Sequence, residues 1–281
     1  MEVLNVGDTA GSASVYSVDG TTGQTSGAVY RSRGEPRKDV GSWVQLSQTR
    51  VTLAPHARET IPFAVRVPAD AFAGAHLGGI VVQPFALTSR KVLRKTKRSS
   101  FQVAIRELSI VAVEVNVPGA RVAKLAITGI RASGIPGYQS LLIGLSNPGN
   151  VFLKGRGSLS VVDSAGKQVE QQGFVLDTLV SHTHIDYPVY TAGTSLPNGS
   201  YTGTVAIVYP DRHLVHLVRS FPFTITRANQ TQVFGAPPGA QRDVSPSSSD
   251  TLLSILLGAA VVLLAAIAFG IYLHLWRARR G

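Results

Sequence analysis

The sequence contains no cysteine, one methionine, and only 16 acidic residues against 27 lysines and arginines in 281 positions. Without thiols there is no disulfide framework, no thiolate nucleophile and no cysteine-ligated zinc, so any core must rest on apolar burial. The shortage of acids leaves a net charge of +11 and no carboxylate pair spaced for acid/base work. There is no Gly-x-Ser-x-Gly elbow, and no long stretch before residue 252 shows a helical apolar period. These gaps point away from an enzyme and away from an α-helical domain. A secreted eukaryotic module of this size often uses disulfides, so a cysteine-free exported chain fits a bacterial surface better.

Charge is also absent from one long run. Leu252 to Leu275 holds no Asp, Glu, Lys or Arg, and only Ser254, Tyr272 and His274 interrupt its apolar residues. At ~1.5 Å per residue a helix of this length reaches about 36 Å, enough to cross a hydrocarbon layer of about 30 Å with some tilt. The expectation is a transmembrane helix over 252–276. Trp276, Arg277, Arg279 and Arg280 follow it, whereas Ser245 to Asp250 before it carries no base. By the positive-inside rule the tail 277–281 is cytoplasmic and the N-terminal ectodomain is extracellular. An exported ectodomain needs a leader, yet Glu2 to Val6 already reads as a strand, so a signal peptide and one further strand are expected upstream of Met1.

The ectodomain alternates apolar and polar residues in short runs separated by Gly, Pro, Asp and Asn, the signature of half-buried strands. Ala13, Val15 and Ser17 share one face, and so do Ile61, Phe63, Val65 and Val67, in a strand closing on Pro68 and pairing as a hairpin with Val51 to Pro55. Gly78-Gly79 implies positive φ or close backbone approach before a buried strand Ile80 to Val82. Along Phe101 to Val117 the apolar phase shifts twice, predicting breaks near Arg106-Glu107 and near Ile110. Pro118-Gly119 then reads as a short link restricting the angle between two domains. In the second, Tyr201, Val205, Ile207 and Tyr209 share a face, as do Phe221, Phe223 and Ile225, and these two strands are expected to be central. Leu196 to Tyr201 has the form of a tyrosine corner. The predicted fold is all-β, with two tandem immunoglobulin-like β-sandwiches over 1–117 and 118–228, a Pro/Ser/Gly stalk over 229–251, and the C-terminal transmembrane helix.

Ser42, Trp43 and Val44, then Val51 to Pro55, the run Ile61 to Pro68, and Gly74, Gly78, Gly79 and Ile80 together resemble the first immunoglobulin-like domain of the WxL-interacting proteins. These are bacterial surface proteins also called the DUF916 family. Leu145-Ser146-Asn147 leading to Asn150, and the Leu196 to Tyr201 corner, are similar to that family's second domain. The resemblance covers most of residues 1 to 227 and departs from the pattern at the N-terminus. It implies a wall-binding first domain, a second domain that engages another surface protein or a host ligand, and a membrane anchor.

The candidate ligand-binding residues are basic. Arg90, Lys91, Arg94, Lys95, Lys97 and Arg98 form a cluster between a strand ending near Leu87 and one starting at Phe101, read as a hairpin tip or long β-loop. Such a patch attracts polyanions, which at a bacterial surface are phosphate-rich wall polymers or anionic lipid rather than nucleic acid. The competing reading is a solvated loop that keeps a sheet edge from pairing. His182, His184, His213 and His216, with Asp186 in phase, would bind metal only if three or four converged on one ion; the expected reading is solvent-facing strand histidines, with no metal and no cofactor. The functional expectation is a non-enzymatic, single-pass, membrane-anchored surface protein that binds cell-wall glycopolymer, peptidoglycan or an associated anionic polymer, and a surface protein partner. The alternative is an envelope-assembly or sensory subunit that docks on a membrane protein without binding wall.

Overall fold

Alternation at period 2 becomes antiparallel ladders throughout. The computed structural model describes residues 1–86, 89–95, 100–105, 107–135, 137–191 and 195–229. The segment 252–276, the tail 277–281 and the stalk from residue 230 onward lie outside these. Among the described residues no helix is long and apolar enough to cross a membrane. The described residues are all-β apart from short helical turns, and they build two β-sandwich lobes with separate cores.

The first lobe contains β1 (Glu2–Leu4), β2 (Gly11–Thr22), β3 (Ala28–Tyr30), the four-residue α1 (Val40–Trp43), β4 (Val44–Leu46), β5 (Arg50–Leu53), β6 (Arg58–Thr60), β7 (Phe63–Val65), β8 (Gly74–Pro84), β9 (Ser89–Lys95), β10 (Ser100–Ile105) and β11 (Ser109–Val117). Its main sheet runs β11-β8-β2, and both β3 and β5 lie on the remaining edge of β2. The short ladders β1-β6 and β4-β7 carry residues that pack against this sheet, closing a core of Val15, Val40, Trp43, Val51, Ile61 and Ile80. The expected hairpin of Val51 to Pro55 with Ile61 to Pro68 does not form. Pro62 supplies no N–H and splits the second run, so β6 pairs with β1 and β7 with β4, while β5 goes to β2. Ile61 at the split is fully buried, but Phe63 and Val67 are exposed. Gly78-Gly79 acts through close approach: a Cβ on Gly78 would lie 2.8 Å from the Val18 carbonyl oxygen, and one on Gly79 would lie 2.9 Å from the Tyr30 ring. β10 and β11 are separate strands, as the first phase shift implied. The second predicted break is absent, because β11 keeps unbroken register with β8 from Ser109 to Val117. Val111 is in phase with the inward Val113 but lies beyond the core and is exposed, which is why the apolar phase misled.

The second lobe contains β12 (Ala126–Ile135), β13 (Tyr138–Asn147), β14 (Leu153–Asp163), β15 (Gln168–Leu179), β16 (Thr183–Tyr190), β17 (Gly199–Pro210) and β18 (Leu214–Ile225). A three-stranded sheet β12-β13-β16 faces a four-stranded sheet β15-β14-β17-β18. Tyr201, Val205, Ile207 and Tyr209 point into the core as the alternation required. β17 is internal, but β18 is an edge strand and not the central one expected; its inward Phe223 and Ile225 are buried because the core lies under one face only. The tyrosine corner is present, with the Tyr201 hydroxyl donating to the Pro197 carbonyl at 2.8 Å.

The turn after β13 joins the lobes. Asn147 is wholly buried: its Nδ2 donates to the carbonyls of Val151 (2.8 Å) and Leu179 (3.0 Å), and its Oδ1 accepts from Gly149 N–H. Three residues on, Asn150 Nδ2 donates to Ala73 O (2.6 Å) in the first lobe and to Ala120 O (2.7 Å) in the link, while its Oδ1 accepts from Val122 N–H. The Asn150 carbonyl takes the N–H of Ala75 at 2.8 Å, an approach that only glycine at position 74, with φ of +124°, permits. Thr22 and Thr183 share a hydroxyl bond of 2.6 Å, and Ser181 donates to the Ala75 carbonyl. The described residues up to Asn229 accordingly fall within one compact unit. Substituting Asn147 by Ala leaves three buried backbone groups unpaired and should cost about 2–4 kcal/mol. Urea denaturation followed by circular dichroism would show this as a lower midpoint, and an unchanged midpoint would contradict the assignment.

Candidate binding surfaces

The basic cluster sits on strands more than in a loop. β8 and β11 pair as neighbours, and beyond Pro84 the chain continues into β9, which pairs with β10 in register from Ser89↔Ile105 to Lys95↔Ser100, with a bulge between Phe101 and Gln102. Arg90, Lys91, Arg94 and Lys95 are strand positions on β9, opposite Ala104, Val103, Phe101 and Ser100. Lys97 and Arg98 lie outside the described residues. A run of cations reads as a loop from composition, but Val92 and Leu93 within it supply enough β propensity for pairing.

β11 forms the edge of the main sheet among the described residues. Leu108, Ile110 and Val111, near its start, are 46%, 40% and 46% exposed. Apolar side chains at a strand edge with unpaired backbone groups are a surface on which another strand can add.

The histidines do not converge. His182 precedes β16 in a positive-φ turn (φ +55°) and sets its ring edge-on to Phe72 of the first lobe, with centroids 4.3 Å apart. His184 is on β16 opposite Ser146, His213 is in the turn before β18, and His216 is on β18 opposite Val208. Asp186 pairs with Arg131 at 2.7 Å. Among the described residues no three His, Asp or Glu side chains are grouped to hold a metal ion.

The imidazole that matters structurally is one the sequence did not single out. His76, on β8, is 1% exposed; its Nε2 meets the Phe72 carbonyl at 2.8 Å and its Nδ1 meets Asp39 Oδ1 at 2.7 Å. A carbonyl can only accept, so Nε2 carries a proton, and a further proton is shared across the Asp39 contact. The Phe72 ring covers the imidazole at 3.8 Å, and Trp43 packs on it at 4.7 Å. Below lies Asp19, buried, whose carboxylate accepts the N–H groups of Lys38, Asp39 and Gly41 and so fixes the start of α1. These residues border a cavity of about 610 Å³ between the lobes, also lined by Arg31, Asp70, Ser181 and His182. Both ring nitrogens of His76 are occupied and the ring is closed off, so the pair holds the fold and has no free atom for chemistry. A buried His–Asp pair of this kind has no periodic signature; the sequence clue was only that Asp39 directly precedes an apolar turn.

Burial raises the Asp39 pKa above the ordinary carboxylate value, and nearby Asp19 adds to this, while the hydrogen bond and charge of His76 work against it. The folded protein therefore holds this proton more tightly than the unfolded chain. The stability it contributes is complete below the ordinary carboxylate pKa and is lost as pH rises through the raised value. Asp39→Asn, whose amide imitates the protonated carboxyl, should flatten the part of the melting-temperature profile that lies just above the ordinary carboxylate range. If the native and substituted proteins lose stability in parallel over that range, the pair is not the titrating contact.

No family model matches the chain, and no curated protein matches it. Among solved structures, the chain is similar to a chain from a chaperone–tip adhesin complex of CFA/I fimbriae (12% identity, TM-score 0.37, covering 78% of this chain and 89% of that one). It is similar also to the class 5 fimbriae chaperone CfaA (10% identity, TM-score 0.35, 78% and 90%) and to the Pseudomonas aeruginosa CupB2 chaperone (8%, TM-score 0.30, 78% and 89%).

Proposed function

We propose that this chain is a non-catalytic binding protein of a bacterial surface, anchored by the apolar segment 252–276 with its immunoglobulin-like lobes outside, that takes anionic cell-wall glycopolymer on its basic hairpin and engages a surface protein. The observation that supports the first contact is the strand register of β9. Four of the six cations occupy consecutive or near-consecutive ladder positions on a hairpin that follows β8 and precedes β11 in the chain. A paired strand holds its charges at fixed spacing, which costs less ordering on binding than a free loop would. Neutralising Arg90, Lys91, Arg94, Lys95, Lys97 and Arg98 to Gln should lower retention on purified cell wall more than about tenfold at low salt, and retention of the native chain should fall as salt rises from about 50 to 200 mM.

The exposed apolar start of β11 favours a second reading, docking on a partner envelope protein without wall binding. In that case retention in the same assay survives the six substitutions, and a charge introduced by Ile110→Asp abolishes partner co-purification. The absence of cysteine makes the topology easy to probe. A single Ser47→Cys should react with an impermeant maleimide on intact cells and Gly281→Cys should not; the opposite pattern would overturn the anchored arrangement.

A further inference from the structure

The outer face of the main sheet carries two arginines that meet over one strand. Ala13 and Val15 of β2 are buried in the core of the first lobe, so alternation turns Ser12, Ser14 and Tyr16 to the opposite face. Residues directly opposite in a ladder share a face. Arg50 and Thr52 of β5 therefore lie there beside Ser14 and Ser12, and Gln83 of β8 lies on the other side of Ser14. Phe85, just past β8, continues that phase, with its N–H donating to the Ser12 carbonyl at 3.0 Å.

β2 runs between β5 and β8, about 4.8 Å from each. Arg50 belongs to β5, yet its guanidinium carbon stands 4.6 Å from the centre of the Phe85 ring, on the β8 side. Its side chain therefore leans across β2, where the residues beneath, Ser12 and Ser14, are small. Arg33 reaches the same place from the segment after β3. Its guanidinium carbon stands 4.9 Å from the centre of the Tyr16 ring, and its Nη1 donates to Ser14 Oγ at 3.3 Å. Tyr16 is itself fixed by its hydroxyl, which donates to Gln83 Oε1 at 2.9 Å. Ser14 is buried, whereas both arginines are exposed.

Among the described residues neither guanidinium has a carboxylate partner, although Arg31, Arg58 and Arg131 pair with Glu35, Glu2 and Asp186. Aromatic rings occupy the place of the acid. A ring takes the face of a guanidinium and leaves N–H groups on its edge free to donate.

We infer that Arg33 and Arg50 form a binding site for a phosphate monoester group, separate from the basic hairpin. One guanidinium fork saturates a planar carboxylate, but a tetrahedral phosphate presents oxygens in several planes and accepts a fork from each of two. The two like charges repel one another, and a dianion between them relieves that repulsion. Both side chains are already set by ring and ladder contacts, so little freedom is lost on binding.

The probe is glycerol 3-phosphate, titrated calorimetrically against the full chain in detergent, with acetate at equal ionic strength as control. Saturable binding at about 1 mM or tighter is expected, with acetate about tenfold weaker or more. Arg33→Gln and Arg50→Gln should each weaken the phosphate about fivefold, and the double variant should abolish binding while melting at the native temperature without ligand. Neutralising the six hairpin cations should leave this affinity unchanged, so a failure of the wall-binding reading and a failure of this site are read separately. Vesicles of phosphatidylcholine with and without phosphatidic acid distinguish the sources: capture that needs phosphatidic acid and both arginines assigns a lipid headgroup, and binding of the soluble ester alone assigns a free one. Acetate binding as tightly as the phosphate ester, an unchanged affinity in the double variant, or no saturation up to about 20 mM would overturn the proposal.

Discussion

Two asparagines three residues apart determine how much of this molecule behaves as one body. Asn147 satisfies three backbone groups inside the second lobe, and Asn150 spends every polar atom it has on the first lobe and the link. Covalently, the lobes are joined only by the extended stretch after Val117. A short link of that kind restricts the angle between two lobes but does not by itself fix it. Here the side chain and carbonyl of one residue, with the Thr22–Thr183 and Ser181–Ala75 contacts beside it, tie the two cores together, and the cavity containing Asp39, His76 and His182 has fixed walls as a result.

Much of the second lobe was legible because its strands are long and one-sided. The parity of Tyr201 to Tyr209 is visible in any reading, and the Asn-Pro-Gly-Asn turn and tyrosine corner are local chemistry. The first lobe was harder to read. Four of its ladders are only three or four residues long, too short for alternation to choose a partner, so Pro62 could break a run that looked continuous and send each half to a different neighbour. Val111 obeyed the inward parity and still emerged into solvent, since parity says which face a residue takes and not whether anything lies beneath it. The histidines failed for a related reason. Spacing of two implies one strand face, but His182 stands in a positive-φ turn before the strand and spends its ring on Phe72. His76, which the periodicity did not mark, is the buried one. The membrane segment and Lys97 and Arg98 lie outside the described residues, so those expectations stand as sequence readings.

The distribution of charge separates structural from available groups. The inward-facing acids here are consumed: the buried Asp19 by backbone N–H groups, the half-buried Asp39 by His76. Several exposed acids sit in ion pairs, as Glu35, Asp177 and Asp186 do. With cations in excess by 11 over the whole chain, that pairing leaves a net positive field around the protein.

The position of β8 between two long ladders has a mechanical consequence. A pull along β8 and β11 meets their own ladder, and β8 is itself laced to β2 from Asp19 to Ala13. Those hydrogen bonds lie across the direction of such a pull, so they resist together as a shear joint and do not peel one by one. Tension would therefore reach Gly74 and Val117, and through them the Asn150 clasp, before any strand of the first lobe slid free.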